Sequence, residues 1–158
     1  MVNASNVRIM TYNVLNYQDE NEREDDYVLI LDFVQPDLII AQEIVGQSGY
    51  SNFKSDVLDI IDSDHWSGAP FTNQSAQQDI ALYYRDDIFS FISTNVVYSA
   101  QSSGTRDVIE WVMLHSSSGI EFNIYGVHLK ASSGTSNANE RLQETTILRN
   151  YLNDHSSD

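Results

Sequence analysis

Two polar side chains follow apolar runs that are typical of buried strands. Asn13 lies in TYNV (11–14), and Glu43 ends PDLIIAQE (36–43). An ionised carboxylate at the end of such a run is costly unless it is paired or bound to a metal. Mg²⁺ takes oxygen ligands from one or two protein groups and leaves the rest to water and phosphate. We therefore predict that Asn13 and Glu43 lie at adjacent strand ends, face a common cleft and begin a site for a hard metal ion. The alternatives are a solvent-facing Glu43 and an Asn13 that only makes a turn.

Other residues of chemical interest carry less information by themselves. His128 lies in YGVHLK (125–130), at the end of a predicted strand, where a single histidine is usually a core residue. Arg106 follows a Gly-Thr loop and opens another predicted strand, and its alternative is a salt bridge with one of the many acids. His115 and His155 have no supporting pattern.

The composition indicates one folded domain that spans residues 1–158. The chain has 41% hydrophobic residues, and its 23 acidic and 8 basic residues give a net charge of −15. Such a surface repels nucleic acid and anionic membranes at low salt. The alternative interpretation is adaptation to salty surroundings, where the Debye length shrinks to ~3 Å at molar salt.

Several classes of protein are excluded by what the sequence lacks. There is no cysteine, which excludes thiolate chemistry. No apolar run approaches the ~20 residues of a membrane helix, and the first residues lack the pattern of a signal peptide. The segment MVNAS (1–5) fits the start of a mature domain whose leader was removed, and a secreted location is favoured over a cytoplasmic one.

Hydrophobic periodicity predicts an α/β protein with the order β-α-β-α-β-β-β-β-α. Asn137 and Glu140 resemble a capping box for the last helix. Strands are predicted at 7–14, 38–44, 80–84, 89–98, 108–115 and 121–129, and helices at 23–35, 51–61 and 137–153.

The order of the elements and the residues at the strand ends resemble the endonuclease/exonuclease/phosphatase superfamily, which includes the DNase I-like nucleases. Each motif is weak alone, but five in the right order and spacing are specific. The resemblance implies an α/β sandwich of mixed sheets flanked by helices. The matching segments are VRIMTYNVLNY (7–17), PDLIIAQEI (36–44), DIALYYRDD (79–87), GTRDVIEWVML (104–114) and IEFNIYGVHLKASSG (120–134).

The resemblance also implies roles for residues. Glu43 would be the principal ligand of Mg²⁺ or Mn²⁺, with Asn13 beside it on the metal or on the scissile phosphate. His128 would stabilise the transition state, supported by an acid for which Asp79 is the candidate, with Gln78 in the neighbouring place. A histidine held by an acid is expected to remain cationic near neutral pH. Phosphate-contacting residues would be Arg106 and, less strongly, Lys130 and Arg141.

Two motifs of the family's second half are not in their places. These are Gly-Asp-Phe-Asn and a terminal Ser-Asp-His; Ser63-Asp64-His65 spells the latter but lies too early in the order. We therefore expect an incomplete domain, weak or inactive alone, that pairs as a homodimer or with a complementary chain which covers the missing half. High negative charge would make self-association strengthen with salt.

Three functions remain open at this point. The first is metal-dependent hydrolysis of phosphoesters by a nuclease-type phosphodiesterase, with DNA as a candidate substrate and no membrane partner. The second is a phosphatase or a lipid or inositol-phosphate phosphodiesterase, which the net charge favours over a DNA substrate. The third is a non-catalytic half-domain that associates with itself.

Overall fold

Two β-sheets stack face to face, with helices on both outer sides. The structure is a computed structural model and describes residues 6–18, 22–73, 78–99 and 104–155. The strands are β1 (Ile9–Tyr17), β2 (Leu38–Ile44), β3 (Trp66–Gly68), β4 (Asp79–Arg85), β5 (Phe89–Tyr98), β6 (Val108–His115) and β7 (Ile120–Gly126). The helices are α1 (Glu24–Val34), α2 (Gly46–Phe53), a π-helical turn (Lys54–Leu58), α3 (Asp59–Ile61) and α4 (Thr135–His155).

The first sheet has the strand order β1-β2-β4-β3 and the second has the order β5-β6-β7. β1 and β2 are parallel and joined through α1, while β4 pairs antiparallel with both β2 and β3. The second sheet is an antiparallel meander. The parallel pair brings the carboxyl ends of β1 and β2 to the same edge, and antiparallel pairing brings the start of β4 there too.

β2 is buried on both faces, which explains its continuous apolar run. Ile39 and Ala41 point into a core between the first sheet and the α1–α3 side. Leu38 and Ile40 point into a second core between the two sheets. A strand with both faces covered does not need to alternate apolar and polar residues.

The second sheet does not cover the whole of the first. The core between the sheets includes buried residues of β2 and β4 but none of β1. Ile9 and Leu15 of β1 are 55% and 63% exposed, and β1 forms an edge of its sheet. The strand therefore has both an unpaired edge and an uncovered face within the described residues.

The predicted elements are confirmed in type and order, with local differences. The second predicted helix begins earlier, at Gly46, and contains a π-helical turn at Lys54–Leu58. The short strand β3 was not predicted, because three residues are too few to show a period. β1 continues through two residues with positive φ to Tyr17.

Two predictions at the end of the chain need correction. β7 ends at Gly126, so His128 follows the strand instead of lying within its last residues. α4 begins at Thr135, so Asn137 lies inside the helix and does not cap it. Its side-chain amide donates to the Ser133 carbonyl at 2.7 Å. No helix in the described part of the chain is long and apolar enough to cross a membrane.

Candidate metal and phosphate site

The backbone of Glu43 departs from the regular strand and turns its side chain out of the core. Ile39 and Ala41 face the helix-side core, so strict alternation would place residue 43 there as well. Instead Glu43 has a left-handed φ of 67°, and Ile44 occupies that core. The pairing of β2 with β4 shifts between Gln42 and Ile44, which makes Glu43 the extra residue of a bulge. The carboxylate is thereby aimed at the sheet edge.

A second irregularity lies directly opposite, in β1. Leu15 and Asn16 have φ values of 50° and 55°, and the pairing with β2 shifts between Asn13 and Tyr17. Left-handed residues other than glycine cost of order 1–3 kcal/mol each and cluster at functional sites. The bulge removes the Asn16 N–H from the strand ladder and makes it available to the site.

Asn13 and Asn16 both donate to the Glu43 carboxylate. The Asn13 Nδ2 donates to Oε1 at 2.9 Å, and the backbone N–H of Asn16 donates to Oε2 at 3.2 Å. The Asn13 Oδ1 accepts from the Leu15 N–H at 2.8 Å. Asn13 and Glu43 therefore lie at adjacent strand ends, as the sequence predicts. Asn13 acts here as a donor that orients the carboxylate, and its role as a metal ligand stays a prediction.

His128 lies in the same cleft. Its Nε2 is 3.6 Å from the Glu43 Oε1, beyond hydrogen-bonding distance. Its Nδ1 is buried and has no hydrogen-bond partner among the described residues. Burial, followed by the nearby charge of Arg106, lowers the pKa of His128, and Glu43 opposes this only in part. The expected hydrogen bond between His128 and an acid is not found among the described residues, and its pKa shifts downward and not upward because burial and a neighbouring cation outweigh the carboxylate.

Asp79 is buried at the start of β4. It is 0% exposed and pairs with Ile44, the residue that follows Glu43. The nearest acid to His128 for which the structure gives a contact is thus Glu43 and not Asp79. Asp79 does lie at the sheet edge that carries the site, and its catalytic role stays a prediction.

A chain of side chains links Arg106 to Glu43. The Arg106 guanidinium donates to the Gly104 carbonyl at 2.8 Å and to the Gln78 Oε1. The Gln78 amide donates in turn to the Asn16 Oδ1. Since a guanidinium can only donate, it requires the Gln78 oxygen on its side and the Gln78 nitrogen toward Asn16. Arg106 is 7% exposed and bonded to neutral acceptors, so these contacts leave its charge uncompensated.

Asn16 and Gln78 belong to the hydrogen-bond network of the candidate site, and sequence reasoning missed both. Asn16 is the second asparagine of NVLNY (13–17). The sequence feature that could have indicated it is this second asparagine close to a strand end. Gln78 has no pattern of its own in the sequence beyond its position next to Asp79. Neither type of side chain indicates a site by itself, because the bridge joins residues 62 positions apart.

Lys130 lies beside the loop that carries Arg106. Its Nζ lies 2.7 Å from the position that a Cβ on Gly104 would occupy, next to Arg106. Gly104 has a φ of 86°, a conformation that side-chain-bearing residues rarely adopt. A glycine at this position therefore allows the Lys130 ammonium to approach the loop that carries Arg106.

The structure does not bring the remaining candidates to the site. Ser63-Asp64-His65 precedes β3, where Trp66 pairs with Arg85, at the end of β4 opposite Asp79. His65 bonds to Asp62 at 3.0 Å, so the motif lies away from Glu43, as its early position in the sequence predicts. Arg141 donates from one nitrogen to the carbonyls of Lys130 and Ser132, both at 2.9 Å. Its contacts are to backbone carbonyls and, among the described residues, it makes no ion pair; a phosphate contact by Arg141 stays a prediction. His115 and His155 contact Ser118 and Tyr151 instead.

The arrangement can bind an anion beside a carboxylate. Glu43 offers ~4 lone-pair positions, of which Asn13 and Asn16 occupy two, so it retains capacity for a cation. Among the described residues, no group of three or more His, Asp or Glu side chains forms a ready metal cluster. One carboxylate still fits Mg²⁺, which keeps several waters and relies on substrate phosphate for the rest of its shell.

The fold is similar to those of several solved enzymes. TDP2 from D. rerio, complexed with single strand DNA product, matches with a TM-score of 0.70 and 14% identity over 95% of this chain and 56% of that chain. The human Nocturnin catalytic domain with bound sulfate anion matches with a TM-score of 0.63 and 19% identity, over 93% and 58%. ANGEL2, a 2',3'-cyclic phosphatase, matches with a TM-score of 0.53 and 15% identity, over 86% and 44%.

The chain thus spans about half the length of these proteins. No protein-family model matches the sequence, and no curated protein matches it significantly. The three structures are members of the superfamily that the strand-end motifs indicate. Together with the two stacked sheets and their flanking helices, they show that this chain has a DNase I-like fold.

Proposed function

We propose that this chain carries the metal-binding and phosphate-binding half of a phosphoester hydrolase. The observation that supports the proposal most strongly is the position of Glu43. It sits on a left-handed bulge, is held by Asn13 and Asn16, and lies 3.6 Å from His128. Backbone strain at a point where three segments converge is typical of a functional site.

Glu43 would hold Mg²⁺ or Mn²⁺ in this site, with Asn13 beside it. When bound, such an ion acts as a Lewis acid on a phosphoryl oxygen. Arg106, whose contacts with described residues are to neutral acceptors, would bind the non-bridging oxygens of the phosphate, and Lys130 would add a second cation. His128, whose pKa is lowered by burial, would serve as a hydrogen-bond donor to the same group. Asp79 remains our candidate for a supporting acid.

The substrate class that we favour is a phosphodiester, as in a nuclease. The similar TDP2 structure contains single-stranded DNA, which supports a nucleic-acid substrate. The alternative is a phosphatase or a lipid or inositol-phosphate phosphodiesterase. A net charge of −15 favours it, because a small substrate meets less repulsion than a polyanion.

We expect the chain alone to be weak as a hydrolase and to pair with another chain. The site as described supplies Glu43 and His128 but no identified base for the attacking water. The uncovered face of β1, with Ile9 and Leu15 exposed, supports pairing with a second copy or a complementary chain. Sedimentation should show association that grows with salt, and a monomer at both low and high salt would contradict this expectation.

The proposal is tested by the binding of inorganic phosphate in the presence of Mg²⁺, measured by calorimetry. Arg106→Gln should weaken binding by ~10-fold or more, because a charge-assisted hydrogen bond contributes about 1.5–3 kcal/mol. The matched control is Arg149→Gln, which removes the same charge from an exposed position of α4. Equal losses in both variants would show that only the net charge matters and would overturn the phosphate site.

Hydrolysis is measured in parallel on a chromogenic phosphodiester and on plasmid DNA, with and without Mg²⁺. We expect slow, Mg²⁺-dependent turnover that Glu43→Gln abolishes. The control Glu121→Gln changes an exposed residue of β7 and should leave turnover unchanged. Rapid plasmid cleavage by a verified monomer would contradict the expectation that this chain alone is weak.

A further inference from the structure

The segment that carries His128 and Lys130 has no regular structure of its own. It follows the end of β7 at Gly126 and precedes the start of α4 at Thr135. Ser132 within it has a left-handed φ of 75°. An irregular segment holds a catalytic geometry only if other elements fix it, since its backbone groups are not paired in a ladder.

Two side chains of α4 form hydrogen bonds with the backbone of Lys130, one with its N–H and the other with its carbonyl. The Glu144 Oε2 accepts from the Lys130 N–H at 3.0 Å. The Arg141 guanidinium donates to the Lys130 carbonyl and to the Ser132 carbonyl, both at 2.9 Å. Glu144 is 2% exposed, which is unusual for a carboxylate and indicates that its contact is made in a desolvated place.

The same helix is anchored at its other end. The Tyr151 hydroxyl donates to the Glu110 Oε2 of β6 at 2.7 Å and accepts from Asn95 of β5 at 3.1 Å. Arg141 and Tyr151 are ten residues apart, or ~15 Å along a helix. α4 therefore connects the second sheet to the segment beside Glu43 as one rigid element.

We propose that Arg141 and Glu144 are positioning residues that hold His128 and Lys130 against Glu43 and Arg106. Lys130 is fixed through its own peptide. His128, two residues earlier, is fixed through the short chain between β7 and that peptide. The role rests on the proposed function for its catalytic meaning, but the positioning itself is a property of the folded chain.

The hydrogen bonds from Arg141 and Glu144 to the backbone of Lys130, which we call the clamp, predict an effect on phosphate binding opposite in sign to that of simple electrostatics. Glu144→Ala removes one negative charge near the cationic side of a protein of net charge −15, so electrostatics alone predicts tighter phosphate binding. The clamp predicts weaker binding, because Lys130 and His128 lose their fixed positions. Glu144→Gln should stay near the parent, since its amide oxygen can still accept the Lys130 N–H.

The experiment measures the metal-free chain by NMR and then inorganic phosphate binding with Mg²⁺. In Glu144→Ala we expect at least tenfold faster hydrogen exchange at the Lys130 amide, altered His128 ring signals and at least threefold weaker phosphate binding. Arg141→Ala should act likewise and Arg141→Lys should partly restore the parent values, because an ammonium can also donate to two carbonyls. The control Asp154→Ala deletes an equal charge from an exposed position of α4 and should change none of these.

Each outcome decides the proposal. Unchanged His128 signals in variants with faster Lys130 exchange, or tighter phosphate binding by Glu144→Ala, would overturn it. If Glu144→Ala does not fold, Arg141→Ala and Arg141→Lys provide the same comparison. If the parent binds no phosphate, the proposed function fails, while the NMR signals still decide whether α4 positions His128.

Discussion

Two carboxylates of this protein are held by neutral donors, yet their surroundings differ. Glu43 lies on a strained bulge at the edge of the first sheet, accepts one hydrogen bond at each oxygen and has His128 beside it at 3.6 Å. Glu110 lies within the regular strand β6, under α4, and is 7% exposed. Both are costly to bury, so each must be compensated locally.

Glu110 is fully occupied by its neighbours. Its Oε1 accepts from the Tyr125 hydroxyl at 2.6 Å and from the Asn123 amide at 2.8 Å, and its Oε2 accepts from Tyr151 at 2.7 Å. Burial acts to raise the pKa of Glu110, but hydrogen bonds from Tyr125, Tyr151, Asn123 and Asn95 outweigh it and lower the pKa below its ordinary value of 4.5.

The difference teaches how to separate a structural carboxylate from a functional one. Hydrogen-bond donors from β5, β7 and α4 surround the Glu110 carboxylate, and its backbone is not distorted. Glu110 therefore joins a helix to a sheet. Glu43 has a distorted backbone, incomplete hydrogen bonding and His128 at 3.6 Å. Burial alone does not distinguish the two, whereas unsatisfied capacity combined with strain does.

The largest difference between Glu43 and Glu110 is expected in metal binding. Glu43→Gln should reduce the affinity for Mn²⁺ at least tenfold, because the site has no second carboxylate identified to replace it, whereas Glu110→Gln should leave affinity unchanged. Paramagnetic broadening of amide signals near residues 13, 16 and 43 measures this. Equal losses in both variants would mean that the ion binds the acidic surface and not the site.

Stability should respond in the opposite way. Glu110→Gln replaces a charged acceptor of three close donors, and hydrogen bonds to charged groups contribute ~1.5–3 kcal/mol each. We expect the free energy of unfolding to fall by ~2–3 kcal/mol, and by less than ~1 kcal/mol in Glu43→Gln, as measured by urea denaturation. A larger loss in Glu43→Gln would show that Glu43, and not Glu110, is the structural carboxylate.

The pH dependence of stability sharpens the same contrast. Because folding lowers the pKa of Glu110, its contribution is fully present above the unfolded pKa of ~4.3 and is lost as pH falls through the folded pKa. Urea midpoints measured between about pH 5 and pH 3 should fall less steeply in Glu110→Gln than in the parent. Identical slopes would show that Glu110 does not contribute to acid unfolding.

The smallest effect is expected at the helix. Tyr151→Phe removes one donor to Glu110 and should cost ~1 kcal/mol, with a smaller effect in the Glu110→Gln background, where the acceptor is neutral. A double-mutant cycle in urea measures the coupling. Additive losses would indicate that Tyr151 stabilises α4 by packing alone, for example through the stacking of its ring on His155 at 4.1 Å.

The sequence by itself was sufficient for the class of fold and for the principal carboxylate. Two apolar runs separated by a helix predicted the parallel pair β1–β2, and the residue at the end of each run predicted that Asn13 and Glu43 meet. This works because side-chain period and strand direction are local properties that a short segment determines.

Only the tertiary structure decided which groups surround that carboxylate and in which direction the pKa of His128 shifts. The hydrogen bond from Gln78 to Asn16 and those from Arg141 to two carbonyls join segments that are separated in the chain. The lowered pKa of His128 likewise depends on burial and on Arg106, which lies in another segment. Neutral amides and backbone groups carry no pattern in sequence, because any strand or loop contains them. Their meaning comes from distance and burial, which exist only once the sheets and α4 have packed together.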